Sequence, residues 1–186
     1  MKYFAFFRGI NVGGKHIVKM ADLKALFAGL GFQDVTTYIQ SGNVVFSSDN
    51  EKPQLQARIE NAFQNRFGFQ STVIIRSSTE LDAILGAQAF SPAELEQARA
   101  ANPDIEHLYV YLAGEPIDAE KVKQVCGSYK GRDKIHIADS EIYLLCYESV
   151  TDSGLAKLLS RLPYTFTARN LNTMNKIAEL CKPNET

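Results

Sequence analysis

The feature that most constrains this chain is an order of elements that occurs twice: strand, helix, hairpin, helix, strand. Lys2 to Arg8 is aromatic and apolar and reads as a strand, followed by the glycine-rich stretch Gly9 to Lys15. Met20, Leu23, Leu26, Phe27 and Leu30 then share one helical face, and Gly31 marks that helix's end. Asp34 to Gln40 is a β-branched strand, Ser41-Gly42-Asn43 a turn, and Val44 to Ser47 the returning strand. Pro53 and Gly68 bracket a second helix carrying Leu55, Ile59, Ala62 and Phe63, after which Phe69 to Arg76 supplies a fourth strand. This βαββαβ order is the ferredoxin-like pattern.

About a hundred residues further on, the order returns. Between the two copies lie a short helical stretch from Thr79 to Leu85 and the polar segment Ser91 to Glu106. Leu108 to Ala113 reads as a strand, and Pro116 opens a helix through Val125. Lys134 to Ala138 and Glu141 to Tyr147 form a hairpin, and Ser153 caps a helix through Leu162. Tyr164 to Thr167 supplies a last strand, and Asn170 to Leu180 a closing helix. The expected fold is α+β: two ferredoxin-like lobes with mainly antiparallel sheets covered by helices. Residues 1–88 form the lobe with the glycine-rich loop, 89–106 a connector, and 107–186 the second lobe with the closing helix.

Strand polarity adds a constraint. In the first strand Tyr3, Ala5 and Phe7 face one side and Phe4 and Phe6 the other, so both faces need cover. A buried core is the simpler expectation; an exposed aromatic sheet that stacks RNA bases is the alternative. The third strand, Asn43-Val44-Val45-Phe46-Ser47, lacks the basic, glycine and aromatic series of such a module and favours the core.

The stretch Gly9-Ile10-Asn11-Val12-Gly13-Gly14-Lys15-His16 fits GxxxxGK, but His16 stands where a phosphate loop needs Ser or Thr for magnesium. Ile17 and Val18 also delay the helix, and the expected sheet is antiparallel, so nucleotide hydrolysis of that kind is not expected. A weaker reading survives. Glycines let successive N–H groups face one concavity, and Lys15 and Lys19 add charge beside it. Because the first two strands of a βαββαβ unit run the same way, the loop after strand one and the turn after strand two share an edge. Arg8, Asn11, Gly13, Gly14 and Lys15 are thus expected near Gln40, Ser41 and Asn43. Turn chemistry explains Asn11, Ser41, Gly42 and Asn43 at least as well as ligand contact does; Arg8 and Lys15 have less structural reason to be there.

Charge supports a local reading only. Twenty Lys and Arg balance 21 Asp and Glu, which excludes a general polycation. Yet Lys2, Arg8, Lys15 and Lys19 precede any acid, and residues 153–178 carry Lys157, Arg161, Arg169 and Lys176 with none. Cys126, Cys146 and Cys181 form no CxxC pair, and His16, His107 and His136 show no ligand spacing, so neither a disulfide framework nor a metal site is expected. No apolar run approaches a membrane span and Met1-Lys2-Tyr3-Phe4 opens no signal peptide, so the expected location is cytoplasmic with no membrane partner.

The stretch from Tyr3 to Phe46, with RGINVGGK and QSGN at its ends, closely resembles the opening of the bacterial family described as domain of unknown function 1697. Thr167-Ala168-Arg169-Asn170-Leu171-Asn172-Thr173 resembles that family's second motif. Leu171 stands where the family usually has Trp, and Lys19 where it usually has Pro. The resemblance implies two related ferredoxin-like lobes and no particular reaction. Its motif positions are Arg8, Gly9, Asn11, Gly13, Gly14, Lys15, Gln40, Ser41, Gly42, Asn43, Arg169, Asn170, Asn172 and Thr173, which carry guanidinium, amide and hydroxyl groups but no carboxylate or thiol. Such groups suit directed hydrogen bonds to an anion more than acid/base catalysis.

The sequence thus leads to a binding protein that holds a phosphate-bearing ligand, a nucleotide or nucleic-acid segment, between its lobes. Arg8, Asn11, Gly13, Gly14, Lys15, Gln40, Ser41, Asn43, Arg169, Asn170 and Asn172 are its candidate contacts. No cofactor is indicated. The alternatives are an enzyme on a small anionic metabolite, with His16 as the nearby titrating group, and a structural or partner-binding protein whose motifs fasten loop to helix.

Overall fold

A computed structural model describes residues 1–180; Cys181 lies outside them. By internal contacts the chain divides into two compact units, Met1–Gly86 with the segment from Met174 onward, and Ala87–Thr173. The closing helix, α7 (Leu171–Glu179), is therefore divided, its first residues grouping with the second unit and the rest with the first.

In the first unit the order is β1 (Lys2–Phe7), α1 (Met20–Gly29), β2 (Gln33–Tyr38), β3 (Asn43–Ser47), α2 (Lys52–Phe67), β4 (Val73–Ser77) and α3 (Ser78–Gly86). The strands form one antiparallel sheet in the order β2-β3-β1-β4, the ferredoxin-like arrangement expected from the sequence. Phe4 pairs with Val45 on one side and Arg76 on the other. Tyr3, Ala5, Phe7, Val44 and Phe46 pack with Leu23 and Phe27 of α1 and Leu55, Ile59 and Phe63 of α2. Gly68, with φ of 78°, closes α2 in the left-handed conformation a glycine adopts without strain. The opposite face is also buried: Phe4 is 2% and Phe6 0% exposed. Helix α3 packs against β1 and β4. A solvent-facing aromatic platform for RNA bases is thereby absent from this sheet.

The second unit repeats the arrangement with α4 (Pro92–Ala101), β5 (Leu108–Ala113), α5 (Ala119–Cys126), β6 (Lys134–Ile137), β7 (Glu141–Leu145), α6 (Gly154–Leu159) and β8 (Phe166–Asn170), ordered β6-β7-β5-β8. Val122 and Cys126 of α5 and Leu155 and Leu159 of α6 pack with Ile142 and Leu144 of β7. Ala98 of α4 packs with Leu145 and Tyr147 from the sheet's other side.

Several boundaries differ from the sequence reading: β4 starts at Val73 and not Phe69, α6 ends at Leu159 and not Leu162, β7 ends at Leu145 and not Tyr147, and three further differences have a visible cause. The polar segment after Ser91 holds a helix, α4, started by a capping box in which Ser91 and Glu94 serve each other's backbone N–H groups. Pro116 does not open α5: Ile117 N–H donates to Asp139 and Asp118 N–H to Tyr164 Oη, so Asp118 becomes the N-cap. The last strand runs later, placing Arg169 and Asn170 on β8 opposite Val110 and Tyr109. Asn170 then caps α7, its Oδ1 accepting from Thr173 N–H at 2.7 Å. Among the described residues no helix is long and apolar enough to cross a membrane.

Candidate functional site at the glycine-rich loop

Parallel β1 and β2 deliver residues 8–19 and 39–42 to one edge of the first sheet. The two segments are joined directly. Phe7 N–H donates to Gly42 O at 2.9 Å, and Asn11 Nδ2 donates to Gln40 O at 2.7 Å. Asn11 also clasps its own loop: Nδ2 donates to Val18 O at 2.9 Å, and Oδ1 accepts from Val18 N–H at 2.7 Å. Every hydrogen-bonding position of that amide except one acceptor lone pair is committed.

Inside the clasp the chain makes a miniature hairpin. Lys15 N–H donates to Val12 O at 3.1 Å and Asn11 N–H to His16 O at 3.1 Å. The two central residues, Gly13 and Gly14, have φ of 58° and 73°, the both-positive pattern of a type I′ turn. The glycines are therefore explained by the turn, and the Lys15 N–H by its bond to Val12. The His16 ring stacks on Phe69, 4.4 Å between centroids and 13° between planes, and its Nδ1 lies 3.3 Å from Gly9 O. On the other side of the edge, Asn43 is buried and Nδ2 donates to Tyr38 O at 3.1 Å and Ser41 Oγ at 2.8 Å. Gly42, with φ of 74°, lies so close to Phe7 and Ile10 that no side chain fits there.

The motif's cations behave differently from its amides. Arg8, Lys15 and Lys19 are exposed and, among the described residues, their side chains make no hydrogen bond or ion pair. The Arg8 backbone is fixed, its N–H donating to Thr72 O at 3.0 Å and its carbonyl accepting from Ser71 Oγ at 2.8 Å. Gln40 is exposed beside them. No carboxylate occurs in residues 8–19 or 39–43, so the edge offers donors and positive charge to solvent. On sequence Lys19 only adds charge beside the loop; in the structure it is exposed with Arg8 and Lys15. Three further residues, Val12, Ile17 and Ile39, are exposed here too. For Val12 and Ile17 the sequence signal is a β-branched apolar residue outside the helical spacing that begins at Met20; Ile39 reads as part of the second strand, which in the structure ends one residue earlier, at Tyr38.

The second motif is in the other unit. Arg169 is buried, and its Nη1 donates to Thr167 Oγ1 at 2.9 Å and Ala168 O at 2.8 Å. Burial pulls it down to about 10, which leaves a cation at neutral pH. Asn172 Nδ2 meets both Glu106 carboxylate oxygens at 2.9 Å. Leu171 and Asn172 help line a cavity of about 440 Å³ together with Arg99, Glu106 and His107. Cys146 is buried, and burial followed by the Asp133 charge pushes its thiol up to about 12; Cys126 is raised by burial alone. Neither has the character of a nucleophile. No group of three metal-ligating side chains occurs among the described residues.

A ferredoxin-like pair of α+β units, with an enlarged basic loop on the first, defines the class. The family model with the description "Protein of unknown function (DUF1697)" matches residues 1–143, and the chain belongs to that family. The match contains the first motif; the second, residues 167–173, lies beyond it. Among solved structures, the chain is similar to the conserved bacterial protein SP0830 from Streptococcus pneumoniae. The two share 28% identity over 97% of this chain and 98% of that one, with a TM-score of 0.74. A comparison with curated proteins gives no match.

Proposed function

We propose that the chain binds a phosphate-bearing ligand, a nucleotide or nucleic-acid segment, at the edge formed by residues 8–19 and 39–43. The observation that carries this reading is the contrast between committed amides and exposed cations: Asn11 and Asn43 hold the loops, while Arg8, Lys15 and Lys19 stand exposed on them with no side-chain hydrogen bond or ion pair among the described residues. A rigid loop keeps the ordering cost of binding low, and charge-assisted bonds to phosphate oxygens supply affinity. Arg8 and Lys15 would grip the anion, with Gln40 beside them to fix orientation. Asn11, Ser41, Asn43, Asn170 and Asn172, candidate contacts on sequence, bond within the protein, and ligand binding at this edge does not depend on them.

Equilibrium binding of nucleotides and of short RNA and DNA tests the proposal. Arg8→Ala and Lys15→Ala should each weaken binding roughly tenfold, the scale of one lost charge-assisted hydrogen bond. Affinity should also fall as salt rises. Binding indifferent to both variants and to salt refutes it. The enzymatic alternative is less well supported, because its one nearby acid/base candidate, His16, has no carboxylate or thiol beside it in residues 8–19 or 39–43 to work with.

A further inference from the structure

The large apolar side chains most exposed among the described residues are Met1, Leu180, Val12, Ile17 and Ile39. Met1 begins the chain and Leu180 is the last described residue. The remaining three gather at a single edge of one sheet, at 66%, 65% and 50% exposure, on the two segments that Asn11 joins. Every residue from Val12 to Ile17 is exposed, so this is a projecting tip and not a groove.

Ile39 is also strained. Its φ is 47°, a left-handed conformation in which a β-branched side chain is unfavourable. Neither burial nor backbone comfort accounts for isoleucine at that point. Strained residues that persist on a well-clasped loop are drawn toward functional surfaces. The tip belongs to the longer of two equivalent loops, residues 8–19 against residues 114–118 in the second unit.

Three aliphatic tips beside Arg8, Lys15 and Lys19 form a surface that is cationic and apolar together. Nucleic acid matches the charge but not the aliphatics, since bases stack on π faces and the His16 ring is already stacked on Phe69. An apolar peptide needs a groove. A bilayer surface with anionic headgroups matches both features: phosphates meet the cations, and the acyl boundary receives projecting side chains. We infer that this edge docks on an anionic lipid surface through Val12, Ile17 and Ile39, with Arg8, Lys15 and Lys19 on the headgroup phosphates. The inference rests on the phosphate-binding reading of the cations and adds the work of the aliphatic residues. It requires no spanning helix, whose absence from the sequence was the ground for expecting no membrane partner.

The test is co-sedimentation of the full chain with vesicles of phosphatidylcholine alone, or with half phosphatidylglycerol. Binding is expected only to the anionic vesicles, weakening about fivefold for Lys15→Ala or Lys19→Ala, one surface cation each. Ile39→Asn should weaken it about tenfold, the scale of burying roughly half an isoleucine side chain. The same substitution should raise the melting temperature, because asparagine accepts positive φ more readily. A residue kept for the fold would give the opposite sign. Val12→Ser and Ile17→Ser should weaken vesicle binding and leave nucleotide binding intact. No binding to anionic vesicles alongside intact nucleotide binding overturns the inference alone, as does vesicle binding indifferent to the aliphatic variants. Loss of oligonucleotide affinity in those variants makes nucleic acid the occupant and overturns it equally. Failure to bind either ligand refutes both readings.

Discussion

Replacing Asn11 tests the clasp that the site depends on. Its side chain makes three hydrogen bonds, two to Val18 and one to Gln40, at 2.7 to 2.9 Å, and its φ is 55°. Each net bond contributes about 0.5 to 1.5 kcal/mol, and the one to Gln40 is exposed, so losing all three costs about 2 kcal/mol. Alanine in the left-handed region adds about 1 kcal/mol. Asn11→Ala should therefore lose about 3 kcal/mol and Asn11→Gly about 2 kcal/mol, although glycine is the smaller residue. Asn11→Asp keeps the acceptor for Val18 N–H but turns an oxygen toward the Val18 and Gln40 carbonyls, so an isosteric change should still destabilise. Urea denaturation gives the free energies, and hydrogen exchange at the Val18 amide reports the loop directly. Accelerated Val18 exchange with unchanged core protection is the expected pattern. A loss below about 0.5 kcal/mol for Asn11→Ala, or alanine more stable than glycine, refutes the account of the clasp.

Two further predictions concern the fold. A Cβ on Gly42 would lie 2.6 Å from Ile10 Cδ1 and 2.8 Å from Phe7 Cβ at φ of 74°; Gly31, at φ of 80°, has nothing within 4 Å. Gly42→Ala should cost at least about 2 kcal/mol more in urea denaturation than Gly31→Ala, and equal losses would remove the packing argument. The second unit should weaken in alkali: burial pushes Cys146, Tyr111 and Tyr143 up to about 12 from ordinary values of 9.0 and 10.0. Raised folded values mean that the native state holds these protons more tightly, so their contribution is complete below pH 9 and is lost between pH 9 and about 12. Melting temperatures should fall across that window, with the first part of the fall reduced in Cys146→Ala; a flat profile from pH 8 to 11 refutes this.

Much of the fold was legible because apolar spacing and glycine placement agree. The helical face through Leu23 and Phe27 and the β-branched runs of β2 and β3 each allow one assignment, and their order sets the sheet topology. Boundaries were legible where a local signal owned them, as Ser153 does for α6. They were missed where a distant group decided: Pro116 reads as a helix start until Tyr164 and Asp139 take the next backbone N–H groups. At the candidate site, topology foretold that the two loops meet and turn chemistry set Asn11 apart from Arg8 and Lys15, but nothing local distinguished an ordinary turn residue from a clasp between the loops. That distinction depends on Val18 and Gln40, which only the folded chain brings to Asn11.

The two units, built alike, supply their own contrast. After β5 the chain needs only residues 114–118 to reach α5, so the topology itself does not require the length of residues 8–19. The longer loop adds exposed apolar and cationic side chains and places Asn11 and His16 at positive φ, with Ile39 at positive φ on the neighbouring turn after β2, all of which oppose stability when taken alone. The fold holds them with devices that have no other evident use: the Asn11 clasp, the His16 stack on Phe69, and the unsubstituted Gly42 against Ile10. Structure that is costly to hold, absent from the sister unit and open to solvent is better explained by what it meets than by what it supports. The amides and glycines of the motif are therefore the scaffold of this edge, and its cations and aliphatics are the part that faces a ligand.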